Sequence, residues 1–357
     1  MNLKASTLAA LTMFLPLSAG TSSLLLDTQG RPLVTVNFRG SDGKTRALRC
    51  LLDTGCAVTL IHKGVPKACL DQDRTRSLHI RDAAGRDITS QVGEADIEVG
   101  GIQRKVLASR VDLERTRKWQ DQPIDAVLGM DFLVGTKIIL DPAMGVATWN
   151  PAEDLQGTVV PCAFNSQRIP TVTLQAGGRD CLAVVDTGCA DAFALPGTYM
   201  PEWGGTAVAT VGGLGGHEAS TLAMVPRISI GQASWTNATA TIWKKPNGLL
   251  GCGALLAGQV EFDFAAGRVI LGGSGQRSVL HHAPEIPVAW DRLGAHPCLR
   301  VALLGHGTLL ERAGAHVGDQ VLKVGDLEGP GLTREALLAL LEGNPEPKFV
   351  FAHRAKS

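Results

Sequence analysis

Two short stretches of this 357-residue chain carry the same chemistry. Residues 51–56 read Leu51-Leu52-Asp53-Thr54-Gly55-Cys56, and residues 184–189 read Val184-Val185-Asp186-Thr187-Gly188-Cys189. An apolar run that delivers one Asp into a Thr-Gly turn is a poor way to build a plain core strand. One copy would be weak, since a given tripeptide turns up by accident at roughly the few-per-cent level in a chain this long. Two copies with matched flanks, one per half, point to two carboxylates meant to meet. Such a pair cannot ionise twice cheaply, so it shares a proton. The ionised member can take a proton from water as that water attacks an amide carbonyl, and the protonated member can donate to the developing oxyanion. Gly after Thr lets the backbone turn tightly. The Thr hydroxyl can bond across to the partner loop.

The elements that must hold these residues are legible as strands and turns. Forty-two Gly and eighteen Pro imply many turns, hence many short strands. Leu33–Phe38 and Ala47–Leu52 read as a hairpin around Ser41-Asp42-Gly43-Lys44, delivering Asp53. A second hairpin has its tip near residues 82–87. Lys137–Leu140 and Val146–Trp149 flank the turn Asp141-Pro142-Ala143-Met144-Gly145. The second half repeats the pattern. Pro170–Leu174 echoes Pro32–Val36, and a Gly177-Gly178 turn leads to Cys181–Val185 and Asp186. The stretch Val211-Gly212-Gly213-Leu214-Gly215-Gly216-His217 falls where the first half has its hairpin tip. Apolar segments around Gly129 and Gly251 correspond. From each, an Asp lies twelve residues on (Asp141, Asp263) and a turn Gly sixteen on (Gly145, Gly267). This register implies two homologous all-β lobes, about 24–152 and 158–273.

The remaining chain differs in style. Residues 1–20 have a charged start, an apolar run from Leu8 to Leu17 and small residues after it, the pattern of a secretory signal peptide. The run is too short for a comfortable bilayer-spanning helix. Beyond a signal left uncleaved as an anchor, no membrane span is expected, and the protein is read as exported, periplasmic or secreted. Eight cysteines fit an oxidising compartment, with a pairing that sequence cannot choose. Formal net charge is zero with no basic block, which argues against nucleic acid as a partner. No CxxC or HExxH pattern occurs, and no metal or cofactor is expected. Residues 274–289 have linker composition. Residues 290–357 read as a small α/β module: strand Leu299–Leu304, then Leu309–Gly314, strand Val321–Val324, helix Arg334–Glu342 capped by Thr333, and strand Phe349–Phe351.

Asp-Thr-Gly after an apolar strand, with apolar-apolar-Gly downstream, resembles the aspartic peptidases of the pepsin and retropepsin superfamily over roughly residues 24–273. The short lobes are more like retropepsins, here fused into one chain. The resemblance implies a mainly β fold: bilobal acid-protease-type β-barrels made by internal duplication, plus the small C-terminal α/β domain. It implies Asp53 and Asp186 as the catalytic dyad, Thr54 and Thr187 as interlocking hydroxyls beneath it, and Gly55 and Gly188 as completing the active-site loops. Gly129 and Gly251 would pack behind them. Gly212, Gly213, Gly215 and Gly216 would lie in a flap over the substrate, with 82–87 as its partner. Two departures stand out. Cys56 and Cys189 occupy positions usually held by Ser, Thr or Ala, and are candidate modulators of the dyad. No flap tyrosine matches near 82–87. The C-terminal domain resembles a PDZ domain through Leu310-Glu311-Arg312-Ala313-Gly314-Ala315-His316-Val317-Gly318-Asp319-Gln320-Val321-Leu322.

The expected function is therefore an aspartic-type endopeptidase acting as a monomer on peptide or protein substrates. The PDZ-like module would capture substrate or regulate. A non-catalytic exported peptide-binding scaffold on the same fold is the alternative, and a thiol enzyme using Cys56 or Cys189 is a third reading.

Overall fold

The computed structural model describes residues 20–27, 30–81, 87–114, 123–199, 207–213, 216–273, 275–277, 288–291, 298–301, 309–316, 318–332, 336–337, 340 and 347–353. The expected signal segment, most of the linker and most of the expected helix 334–342 lie outside them. Strands dominate the described residues, so the class is mainly β, built on two closed six-stranded barrels.

The two barrels have one topology. In the first, strand Pro32–Arg39 pairs antiparallel with Thr45–Leu52, which runs parallel to Ala126–Leu128. The order continues through Leu60–His62, Ile102–Val111 and Asp87–Val99, and Asp87–Val99 closes onto Pro32–Arg39 at Asn37↔Glu98. In the second, Pro170–Ala176 pairs with Arg179–Asp186, which runs parallel to Gly248–Gly251. The order continues through Phe193–Pro196, Ala233–Trp243 and Gly216–Ile230, closing at Gln175↔Ser229. Alternation explains the inward faces. Along Pro32–Arg39, Val34, Val36 and Phe38 are buried while Thr35, Asn37 and Arg39 are exposed.

Each barrel carries a projecting hairpin. In the first it is Asp71–Arg81 with Asp87–Val99, paired up to Arg81↔Asp87, and the tip 82–86 is outside the described residues. In the second it is Ala207–Gly213 with Gly216–Ile230, paired up to Gly213↔Gly216. Gly212, Gly213 and Gly216 thus sit at the end of that ladder, and Gly215 is outside the described residues.

A further sheet joins the lobes. Its order is Gly157–Pro161, Arg268–Gly272, Val260–Asp263, Lys137–Asp141, Val146–Trp149 and Gly20–Leu26. The central pairing, Val260↔Leu140 to Asp263↔Lys137, matches one repeat's hairpin against the other's. The Gly-Asp-Gly register of the sequence is this hairpin. Asp141 accepts the Met144 N–H at 3.0 Å, Asp263 accepts the Ala266 N–H at 3.0 Å, and Gly145 and Gly267 both have φ of 65°. That backbone conformation suits glycine. Strand Gly20–Leu26, which sequence reading passed over, links this sheet to the first barrel by pairing with both Val146–Trp149 and Pro32–Arg39.

One core runs through both lobes, with Trp149, Trp235, Phe132, Phe193 and Phe262 among its fully buried side chains. The C-terminal region has a separate core of Leu299, Val301, Leu310, Val321, Val324 and Phe349. Its sheet runs Val288–Asp291, Cys298–Val301, Gln320–Val324 and Leu327–Glu328, with Phe349–Ala352 added on Gln320–Val324. None of the eight cysteines is joined in a disulfide. Among the described residues, no helix is long and apolar enough to cross a membrane.

Candidate active site

The two Asp-Thr-Gly turns leave equivalent strand ends and face each other across the junction of the lobes. Asp53 follows Leu52, which lies beside Leu128 in the parallel pair, and the Asp53 N–H donates to the Leu128 carbonyl at 3.1 Å. Asp186 ends its strand beside Gly251. The strand register therefore sets where each carboxylate leaves the barrel.

Beneath the carboxylates the threonines interlock symmetrically. The Thr54 hydroxyl donates to the Val185 carbonyl at 2.7 Å and accepts the Thr187 N–H at 3.1 Å. The Thr187 hydroxyl donates to the Leu52 carbonyl at 2.6 Å and accepts the Thr54 N–H at 3.1 Å. Both threonines are buried, and Leu133, Ile138, Leu140, Phe262 and Phe264 line the space below them. Four hydrogen bonds in this dry setting satisfy backbone groups that would otherwise be orphaned.

The glycines set the approach of the two loops. A Cβ on Gly55 would come within 3.0 Å of the Asp186 carboxylate, and one on Gly188 would do the same to Asp53. Only a residue without a side chain lets each loop lie against the opposite Asp. Gly129 and Gly251 serve the layer behind. A Cβ on Gly129 would meet the Val58 and Cys56 backbone, and one on Gly251 the backbone of Asp191 and Cys189. The residues after them pin the loops, since Met130 N–H donates to the Cys56 carbonyl at 2.8 Å and Cys252 N–H to the Cys189 carbonyl at 2.9 Å.

The carboxylates are half-buried by exposed surface yet densely surrounded by protein, so they are desolvated without being sealed. Burial pushes Asp53 well above the usual carboxylate range, and the Asp186 charge and their mutual hydrogen bond push it further. Burial raises Asp186 too, but its bond with Asp53 and the N–H groups of Gly188 (2.9 Å) and Cys189 (3.1 Å) oppose the rise. Asp53 accepts one such N–H, from Gly55 at 2.9 Å. More backbone donors reach Asp186 than Asp53, which favours the charged form of Asp186 over that of Asp53.

Cys56 and Cys189 stand beside the dyad, as their sequence positions require. Burial first, then neighbouring Asp charges, raise both thiols well above the ordinary value. Those shifts suppress thiolate, the opposite of what a nucleophilic cysteine needs. The Cys56 thiol donates to the Val58 carbonyl at 3.1 Å. The Cys56 side chain also packs against the buried cluster of Leu33, Leu51, Leu60 and Val127.

Sequence reading missed several supporting groups. Asp131 accepts the Thr59 N–H at 2.9 Å and the Thr59 hydroxyl at 2.7 Å, bracing the segment behind Asp53. Asp191 accepts the Thr241 hydroxyl at 2.7 Å in the second lobe. Arg31 forms a buried two-pronged pair with Asp27, with Nε and a terminal guanidinium nitrogen each 2.8 Å from Oδ2, and its charge lowers both dyad carboxyls slightly against the dominant rise. No motif distinguishes these residues in the sequence, because their roles depend on strand pairing. No protein-family model matches this chain, and no curated protein matches it.

Proposed function

We propose that this protein is an aspartic endopeptidase of the acid-protease type, hydrolysing peptide bonds with water activated between Asp53 and Asp186. The observation that carries the reading is the twofold arrangement of two Asp-Thr-Gly loops, with each Gly against the opposite carboxylate and the Thr hydroxyls interlocked below. In this reading Asp186 takes a proton from the attacking water as its oxygen bonds to the amide carbon. Asp53 gives its proton to the carbonyl oxygen, forming a neutral gem-diol. Collapse then expels the amine, which receives a proton from Asp186, while a diol hydroxyl returns one to Asp53. The hairpins of the two barrels cover the substrate, with Gly212, Gly213 and Gly216 at the end of the second. The smaller module is PDZ-like and takes an extended peptide at a sheet edge. The chain acts after export, as a monomer, because it contains both carboxylates itself.

Incubation of the purified protein with a diverse peptide library, from acidic to neutral pH, tests this. Cleavage is expected, with kcat/KM bell-shaped in pH and reduced about 10²–10⁴-fold by Asp53→Asn or Asp186→Asn. Cleavage that survives either substitution overturns the dyad. Peptide binding without cleavage by the unsubstituted protein supports the scaffold instead.

A further inference from the structure

Two histidines and one aspartate meet at the end of the C-terminal sheet, far along the chain from the dyad. His316 lies in the turn before strand Gln320–Val324, Asp319 precedes that strand, and His353 follows strand Phe349–Ala352. The pairing Gln320↔Ala352 brings them together. The Asp319 Oδ2 is 2.7 Å from His353 Nδ1 and 3.5 Å from His316 Nδ1. The two imidazoles stand edge to face with centroids 5.3 Å apart. One ligand atom from each residue can be chosen so that all lie within 4.8 Å of one another.

The three side chains differ in a way that suits a ligand set. Asp319 is buried and oriented by the His316 N–H, which donates to Oδ2 at 2.8 Å. The imidazoles are largely exposed, at 77% and 62%, so they can turn without repacking the core. Two imidazoles from separate segments converge on one buried carboxylate oxygen.

We propose that His316, Asp319 and His353 form a site for a borderline divalent transition-metal ion of the Zn²⁺ class. Two imidazole nitrogens with one carboxylate oxygen favour such an ion over Mg²⁺ or Ca²⁺, which prefer all-oxygen sets. Three protein ligands on an exposed edge leave a position for water or for a group from another molecule. Binding ties the turn before Gln320 to the strand that ends the sheet, so the ion stabilises this module by linkage.

The test uses the untagged, chelator-treated full chain. Zn²⁺ titration by calorimetry is expected to give one site that His316→Ala or His353→Ala weakens by roughly tenfold or more, on the scale of losing a metal-site contact. Both replaced side chains are exposed, and circular dichroism checks that the variants stay folded. The eight cysteines are the competing ligands, so Co²⁺ is bound in parallel. Visible bands without sulfur-to-metal charge transfer, lost in the His316→Ala, His353→Ala double variant, support the site. A thiolate charge-transfer band at the first equivalent, or Zn²⁺ affinity unchanged in the folded double variant, overturns it.

Discussion

Asp53 is costly to the fold as well as central to the proposed chemistry. Its folded-state pKa lies well above the ordinary value of 3.8, because burial and the Asp186 charge disfavour its ionised form. The native state therefore holds this proton more tightly than the unfolded state. The resulting stabilisation is fully present below 3.8 and is lost as pH rises through the raised value. Asp53→Asn removes the charge while keeping an oxygen to accept the Gly55 N–H. The variant should lose hydrolysis, and at neutral pH it should need more denaturant to unfold than the unsubstituted protein. The difference should vanish below the ordinary carboxylate pKa. Denaturant midpoints measured across pH check both statements. A variant less stable at neutral pH would show that Asp53 is held by attraction rather than crowded by repulsion.

The bridging sheet positions the two turns relative to each other. Its centre buries Glu261 completely, opposite Ile139. One carboxylate oxygen of Glu261 accepts the Leu155 N–H at 2.6 Å, and the other has the Lys137 ammonium 3.8 Å away without a hydrogen bond. Lys137 also pairs with Asp154, which Arg268 shares at 2.8 Å. Lys137→Met leaves Glu261 buried without its nearest cation and is expected to cost about 3–5 kcal/mol. Lys137→Met combined with Glu261→Gln should recover much of that loss, since no buried charge remains and an amide oxygen can still accept from Leu155. Urea unfolding of the single and double variants measures the difference. Equal losses would mean that Asp154 alone holds Lys137.

At the scale of the molecule the large core, continuous across both lobes and the bridging sheet, is separate from the core of the C-terminal module, and a smaller cluster around Leu33, Leu51 and Leu113 lies in the first lobe. Heating the full chain should give two calorimetric transitions, the larger carrying roughly four times the enthalpy of the smaller in proportion to the residues involved. Zn²⁺ should raise the midpoint of the smaller transition only. A single cooperative transition would mean that the module is welded to the lobes, for which the proximity of strand Val288–Asp291 to Ala207–Gly213 offers the route.

The sequence alone determined the duplication and its paired Asp-Thr-Gly turns. Matched Asp-Thr-Gly turns, matched glycines at 129 and 251, and the Gly-Asp-Gly spacing are local signals, since each records a turn or a close approach that only certain residues allow. Those turns and the strands feeding them stand where the sequence put them. The strand Gly20–Leu26 escaped notice because its partners lie both next in sequence and some 120 residues away. The long strand Asp87–Val99 shows only its last five residues as clear alternation. Asp131, Asp191, Arg31 and Glu261 gave no signal either, since an isolated acid or base acquires its role from neighbours that only barrel closure supplies. The tertiary structure also decided which way Cys56 and Cys189 act, because the burial and the Asp charges that hold their thiols protonated arise from folding. It joined His316, Asp319 and His353, which no spacing rule connects, through a strand pairing between distant segments. Turn chemistry is written locally, whereas burial, charge and register are properties of the assembled sheets.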